Sequence, residues 1–455
     1  MKTVCIVGGG IAGLSAAWRL QQIRPDVQVT LLEASERVGG KLRTERICAP
    51  EGDYVCEAGA ESFVRRTPDL WRMVCELGLD GAADAAHDAV GMHLVKNGVT
   101  HPVPTSPAAF LKTPLLSLRG KLRMMSEPFR AARCDGADES MAKFVTRRFG
   151  REALDELLGP IFGGIYNADP EVQSVLAVLP SLHEAERVHG SVVRGMLRKS
   201  ARDASSALPA SPTPRGAFAF SGGVDVFVDA LRARLTCDVR TNAPVLGLRA
   251  GERITARLRD EEMTVDAVIL ATSASVAAKL TAEISADASE RLAQIRQQPI
   301  GTVVLAWRTA DVPLDRCMRG VVIPRRERRR IDAVLFASHK RPSCAPAGYT
   351  LLRVFFGGAD ASMPALAESP LLQAIRDELR DLFGITAPPL HAHLNCWQDG
   401  FVNATVGHHR RVEKIAKLLP SAIRRTGASY HGVGVADCVR EAQQCVDQWI
   451  ASDAF

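Results

Sequence analysis

Apolar and polar positions fall into two alternating periods at the start of this chain. Val4 to Val7 is an unbroken apolar run that meets three glycines, Ala12 to Leu20 has helical spacing, and Val27 to Leu32 is apolar again and stops at Glu33. The pattern predicts strand, turn, helix, strand. Asp53 to Phe63 reads as a strand entering a small-residue turn, then a helix from Pro68 to Leu77, stopped by Gly78. Glu139 to Leu158 places Met141, Phe144, Val145, Phe149, Leu154, Leu157 and Leu158 at helical spacing. The stretch Gly159 to Pro170 is too glycine-rich for a continuous helix and too apolar for a solvated loop. It is expected to line something, with plain core and a membrane-surface patch as the other readings.

Further on, Ala201 to Pro214 has the composition of a surface loop, and a helix is expected over Asp225 to Leu235. Short strands follow at Val239 to Arg240, Val245 to Arg249, Ile254 to Leu258 and Met263 to Thr272. Asp266 to Thr272 is nearly all apolar, as a strand buried on both faces of a parallel sheet must be, so it is expected to rejoin the first sheet. From Lys279 to Cys396, strand-like runs frame a helix at Leu371 to Leu382, the pattern of a separate α+β domain. The chain closes with a glycine turn, Gly432 to Gly434, leading into a helix that reaches Ile450.

Length and composition narrow this picture without changing it. At 455 residues about three domains are expected. Mean hydropathy near zero and the lack of any window of about 18 apolar residues argue against a membrane-spanning chain. The 11 cysteines include no C-x-x-C pair, which removes a zinc ribbon or dithiol motif and suits reduced thiols in the cytoplasm. The formal charge of +6 is densest at Arg325 to Arg330, read either as a solvated loop or as a surface for anionic lipid or an acidic substrate. No nucleic-acid motif is present.

Candidate chemistry begins with Gly8, Gly9, Gly10, Ile11, Ala12 and Gly13, a G-x-G-x-x-G placed between strand and helix. The first glycine permits a tight turn, the second lets backbone approach a pyrophosphate, and the third lets helix pack on strand. Glu33 lies 20 positions after Gly13, where a carboxylate accepts from ribose hydroxyls and repels a 2′-phosphate. Glu33, Arg37, Gly39, Gly40 and Lys41 then resemble the E-x-x-x-R-x-G-G-[KR] run of amine oxidase and porphyrinogen oxidase flavoproteins, which favours FAD over NAD. Gly59 and Ala60 would let backbone pass close to a flat ring. The N-terminus of the last helix would sit beside the N1–C2=O edge of a flavin, although Asp437 could instead cap that helix.

The motifs GGGIAGL, LLEASERVGGKLRT, EAGAESF, GIYNADP, PSLHEAER, FSGGVDVFVDAL, TVGHHRRV and GVGVADCV stand in one order over nearly the whole chain. In that order they resemble the oxygen-dependent porphyrinogen oxidases, the protoporphyrinogen IX and coproporphyrinogen III oxidases of the amine oxidase superfamily. The resemblance implies an α/β fold in which a Rossmann-like FAD-binding domain is assembled from residues 1–90, 215–278 and 405–455. It adds a mostly helical, membrane-facing insertion at 91–200 and an α+β substrate domain at 279–404. FAD contacts would come from Gly8 to Gly13, Glu33, Ala34, Arg37, Gly40 and Lys41, and from the Gly59, Ala60, Glu61, Ser62 turn. Val245 would meet adenine through its backbone, and Trp397, Val433, Gly434 and Val435 would complete the site.

The implied reaction removes six electrons from a porphyrinogen as three hydride equivalents, with dioxygen reoxidising the flavin to give peroxide. The implied setting is cytoplasmic, with peripheral contact at the inner face of a membrane and hand-over to other haem-pathway enzymes. No catalytic residue is assigned, because the cofactor carries the redox chemistry and no triad, G-x-S-x-G or metal-ligand spacing is found. His408 and His409 are adjacent, so their side chains diverge and no metal pair is expected. Two departures from the family stand out: Met92 where mitochondrial-type members have a propionate-binding arginine, and Phe401 to Ala404 in place of a proline-glutamine-tyrosine element. His93, Lys96 and the loop near Arg325 are the candidates left for propionate recognition. The alternative readings are a flavin amine oxidase or desaturase-like enzyme, and a non-catalytic FAD-bound porphyrin-binding protein.

Overall fold

The computed structural model describes residues 2–64, 67–85, 91–133, 135–166, 169–205, 217–314 and 318–452. Its centre is a five-stranded sheet in the order Asp238–Arg240, Gln28–Leu32, Thr3–Val7, Ala267–Leu270, Ile423–Arg425, each neighbouring pair parallel. The all-apolar strand Ala267–Leu270 pairs directly with Thr3–Val7, as its composition required, and is buried at every position. Helices Ile11–Ile23 and Val435–Ala451 cover one face, where Leu14, Ala17, Val439, Val446 and Trp449 pack on Val4 and Ile6. An antiparallel sheet from Gly247 to Val265 and the helix Ala274–Thr281 cover the other.

A second sheet of seven strands runs in the order His391–Val402, Gln297–Arg308, Tyr349–Phe356, Ile331–Phe336, Gly320–Val322, Met92–Lys96, Val99–Pro102. One face packs Val303, Leu305, Leu352 and Val354 against Leu371, Ile375 and Leu379 of helix Glu368–Phe383. The last two strands correct the expected boundary at residue 91. They form a hairpin turned by Asn97 and Gly98, both with φ above zero, the geometry that Asn-Gly favours. The helical insertion therefore follows Pro102.

Within the insertion the glycine-rich stretch is helical after all. A π-helical turn at Leu154–Leu158 leads into helix Gly159–Tyr166; Asn167 and Ala168 lie outside the described residues. Glycine is used there for close packing, since a Cβ on Gly164 would stand 2.6 Å from Val322 Cγ1. Helix Val192–Ser205 extends into the expected surface loop, and 206–216 lie outside the described residues. Asp437 does not take the alternative role of helix cap. It makes no capping hydrogen bond and pairs instead with Arg440 at 3.0 Å.

A buried ion network holds the insertion. Glu127 and Arg148, both fully buried, pair with each other, while Ser191 Oγ donates to Glu127 at 2.5 Å and Arg147 forks onto Glu186 at 2.5 and 2.8 Å. Burial alone would raise both carboxyl pKa values, but the hydrogen bonds from Ser191 and Arg148 to Glu127, and from Arg147 to Glu186, outweigh it and lower them. A lowered folded pKa means that the unfolded chain binds more protons in acid. This contribution is complete above the ordinary glutamate pKa of about 4.3 and disappears as pH falls through the folded values. Denaturant titrations are expected to show the unfolding midpoint dropping below about pH 4.5, with a flatter drop in Glu186→Gln. An equally steep drop in that variant would contradict the assignment. Among the described residues no helix is long and apolar enough to cross a membrane.

Candidate functional site

The first parallel strand delivers its glycines to the carboxyl end of the sheet, the edge where open α/β sheets bind ligands. Gly8 has φ of +107°, and a Cβ on Gly13 would stand 1.9 Å from Gly8 O, so the helix can lie on the strand only with glycine at that position. Gly10 differs from both. A Cβ there would meet nothing within 4 Å, which marks open space at the start of helix Ile11–Ile23. That helix has Gly10 as N-cap, with no side-chain cap and no acid in its first turn, whereas Ser106, Ser117, Ser140, Ser174, Ser273 and Ser285 cap others. Its first N–H groups remain available to an anion.

The second glycine pair packs against the first. Gly39 N donates to Gly9 O at 2.8 Å, and Gly40, with φ of +58°, lies against Gly10 Cα. Glu33 stands at the rim, accepting from Gly9 N at 2.6 Å and from Ser35 N and Oγ at 2.8 and 2.7 Å. A carboxylate has about four acceptor positions, so its orientation is fixed while fewer remain for a ribose than the spacing alone suggested. Asn242 and Ala243 donate to Ser35 and Glu33 carbonyls, which brings Val245 and exposed Ala34 to the same rim; Val245 precedes the strand Gly247–Ala250 and is not within it. Arg37 is committed to Asp225 at 2.7 Å and to Leu42 O. Lys41 donates to Gly400 O at 2.8 Å; it is exposed by area yet crowded by protein, and this desolvation lowers its pKa against the pull of Asp399.

Gly434 is the uncapped N-cap of the last helix, which begins at Val435. Asp437 packs under Gly432, with a hypothetical Cβ only 2.6 Å from Asp437 Cβ. Val433, Gly434 and Val435 are all half-buried beside this turn. His431 next to it is exposed by area yet crowded by protein, and desolvation, then Arg425, pushes its pKa down to about 4.

The Glu57 to Ser62 segment is held from the seven-stranded sheet side at almost every residue. Arg341 reaches Glu57 at 3.2 Å, Trp397 Nε1 donates to Ala58 O at 2.8 Å, and Arg353 donates to Gly59 O at 2.7 Å and to the Glu61 carboxylate at 3.1 Å. Lys340 Nζ donates to Ser62 Oγ at 3.2 Å. Trp397 thus acts on the turn itself. Glu57 is pushed up to about 7 by burial, against the opposing charge of Arg341. Arg341, Arg353 and Lys340 were not anticipated, although Arg353 was visible as the one charge in the apolar strand TLLRVFF.

Beyond this turn the same face of the sheet forms a wall. Cross-strand registers put Thr302, Phe355 and Ala333 in one rung and Arg353, Leu335, Gly320 and Met92 in the next. Phe355, Ala333, Leu335 and Met92 are only half-buried, and the Arg353 guanidinium lies 4.8 Å over the Phe355 ring. The earlier propionate candidates are mostly engaged elsewhere. Lys96 pairs with Glu156 at 3.0 Å and donates to Leu115 O, and His93 Nδ1 is bonded to Gly91 O. In the basic loop Arg326, Arg329 and Arg330 pair with Glu156, Glu378 and Asp360.

A parallel sheet with a glycine-lined helix N-terminus and a carboxylate at the second strand defines a dinucleotide-binding fold. The sequence matches the flavin-containing amine oxidoreductases over residues 11–449, and the chain belongs to that family. It is 29% identical to a coproporphyrinogen III oxidase of Bacillus subtilis, over 98% of this chain and 97% of that one. It is 26% identical to protoporphyrinogen oxidase 2 of Arabidopsis thaliana, over 92% and 87%. A crystal structure from Exiguobacterium sp. 255-15, of a protein assigned provisionally as a protoporphyrinogen oxidase, superposes with a TM-score of 0.85 at 24% identity, covering 99% of both chains.

Proposed function

We propose that this protein is an FAD-dependent porphyrinogen oxidase that removes six electrons from coproporphyrinogen III or protoporphyrinogen IX and passes them to dioxygen as peroxide. The observation that carries the reading is the joining of a dinucleotide cradle to an apolar, half-open wall by the Glu57 to Ser62 turn, supported by full-length likeness to enzymes of that name. The residues present fit FAD. Gly10 leaves open space at an uncapped helix start, Glu33 and Val245 flank one end, and the Gly434 turn offers a second helix N-terminus at the other.

When bound, the flavin supplies the two-electron acceptor for each of three hydride removals. The chain contributes position and environment. First-turn N–H groups of Ile11–Ile23 would hold the pyrophosphate, and those of Val435–Ala451 would favour negative charge at the pyrimidine edge. Phe355, Ala333, Leu335 and Met92 would lie against the macrocycle and keep water from it. Tautomerisation of the macrocycle lets each position reach one site; each hydride leaves together with one proton, both ending in peroxide, and no residue is assigned to carry that proton.

Peripheral membrane contact is supported by helix Leu118–Met125, where Leu118, Leu122 and Met125 are exposed on one face and Phe129 beyond them is 85% exposed. The assay follows directly. FAD-loaded protein given either porphyrinogen in air is expected to produce fluorescent porphyrin with three equivalents of peroxide. No enzyme-dependent gain on either substrate would sink the reading.

A further inference from the structure

The charges around the Glu57 to Ser62 turn are unevenly matched. The two inner guanidiniums each have a carboxylate, Arg341 with Glu57 at 3.2 Å and Arg353 with Glu61 at 3.1 Å. The two outer cations have only neutral acceptors. Lys340 Nζ reaches Ser62 Oγ at 3.2 Å and Arg319 Nη1 reaches His339 O at 2.6 Å, and among the described residues neither lies within 4.0 Å of a carboxylate. Both are half-buried, so part of their hydration is lost without an ion pair to replace it.

Topology places both at the end of the apolar wall. Strand Ile331–Phe336 carries Ala333 and Leu335 and continues into Ala337–Lys340. Arg319 immediately precedes Gly320, which is in register with Leu335 and with Met92. Phe336 N donates to Arg319 O, tying the two segments together, and Arg319 then binds the carbonyl of the residue next to Lys340. A flat apolar ligand against Phe355, Leu335 and Met92 would meet Lys340 first, beyond the end of its strand, while Arg319, one residue off the Leu335 face, reaches the same segment through His339 O.

We propose that Lys340 and Arg319 form a carboxylate subsite that receives an acidic side arm of the substrate. The assignment rests on the function proposed above, which supplies a macrocycle bearing propionates. Chemistry favours a carboxylate. The planar guanidinium offers a two-point fork and the ammonium a compact charge, and a carboxylate has two oxygens to share between them. Of the other candidates, Lys96 and, in the loop near Arg325, Arg326 are already paired and share Glu156.

The test uses the FAD-loaded protein and two probes, coproporphyrin III and its tetramethyl ester, with binding followed by tryptophan quenching. Lys340→Met is expected to weaken the acid about tenfold, or 1.4 kcal/mol, and to leave the ester within about twofold of wild type. Lys340→Met with Arg319→Met should weaken the acid further, and Lys340→Arg should restore most of the loss. Flavin content and thermal midpoint report whether each variant is folded. Should Arg319→Met fail to fold, Lys340→Met alone decides. Acid binding unchanged in Lys340→Met, or acid and ester weakened in parallel, overturns the subsite. Wild-type protein that neither binds nor oxidises any porphyrinogen overturns the function itself, and the subsite with it.

Discussion

Gly10→Val is expected to yield a folded protein that has lost its cofactor. A Cβ at Gly10 meets no protein atom within 4 Å and its φ is −68°, so neither packing nor backbone opposes a side chain. The open space is where a pyrophosphate would approach the first turn of helix Ile11–Ile23, and a branched side chain fills it. FAD affinity should fall at least about a hundredfold, near 2.7 kcal/mol, while the apoprotein unfolds at the wild-type denaturant midpoint. Titration of apoprotein with FAD, beside an unfolding curve, checks both halves. A variant that holds FAD as tightly as wild type would move the cofactor away from this cradle.

Gly59→Ala should fail for the opposite reason. A Cβ there would stand 1.7 Å from Lys41 O and 2.9 Å from Lys41 C, both backbone atoms, so the turn has to leave Lys41. Moving it also breaks the bonds from Trp397 to Ala58 O and from Arg353 to Gly59 O. Overpacking commonly costs about 1–3 kcal/mol, and with rigid backbone as the neighbour a loss of about 3 kcal/mol or more is expected. Stability and flavin content should fall together, in contrast to Gly10→Val, where only the second falls. Wild-type stability in Gly59→Ala would mean that the turn is not pinned between Lys41 and the seven-stranded sheet.

The glycine-rich end of the first sheet is legible because its backbone geometry is local. Strand, glycines, helix and Glu33 fall within 33 residues, and each glycine does a separable job that its neighbours in sequence define. The return of Ala267–Leu270 to the same sheet was legible from composition alone, since a central parallel strand has no polar face to show. The hairpin at 92–102 was obscured by the prolines that follow it, although Asn97-Gly98 is a strong turn signal in itself. Gly159–Tyr166 is helical against its glycine content because propensity is local and helix packing is not: Gly164 meets Val322, far off in the sequence. The hold on the Glu57 to Ser62 turn was beyond reach for the same reason, as Arg353 lies 292 residues from Glu61. A charge in an apolar strand announces that it has a partner without saying which.

The central claim is that a porphyrinogen gives up its electrons to a flavin held between the Gly10 cradle and the Gly434 turn. The direct measurement is anaerobic mixing of FAD-loaded protein with excess coproporphyrinogen III or protoporphyrinogen IX, following the flavin absorbance. Rapid bleaching to the reduced form with at least one of them, reversed by admitting air, is the result expected. A flavin that stays oxidised with both, while dithionite still reduces it, would contradict the claim.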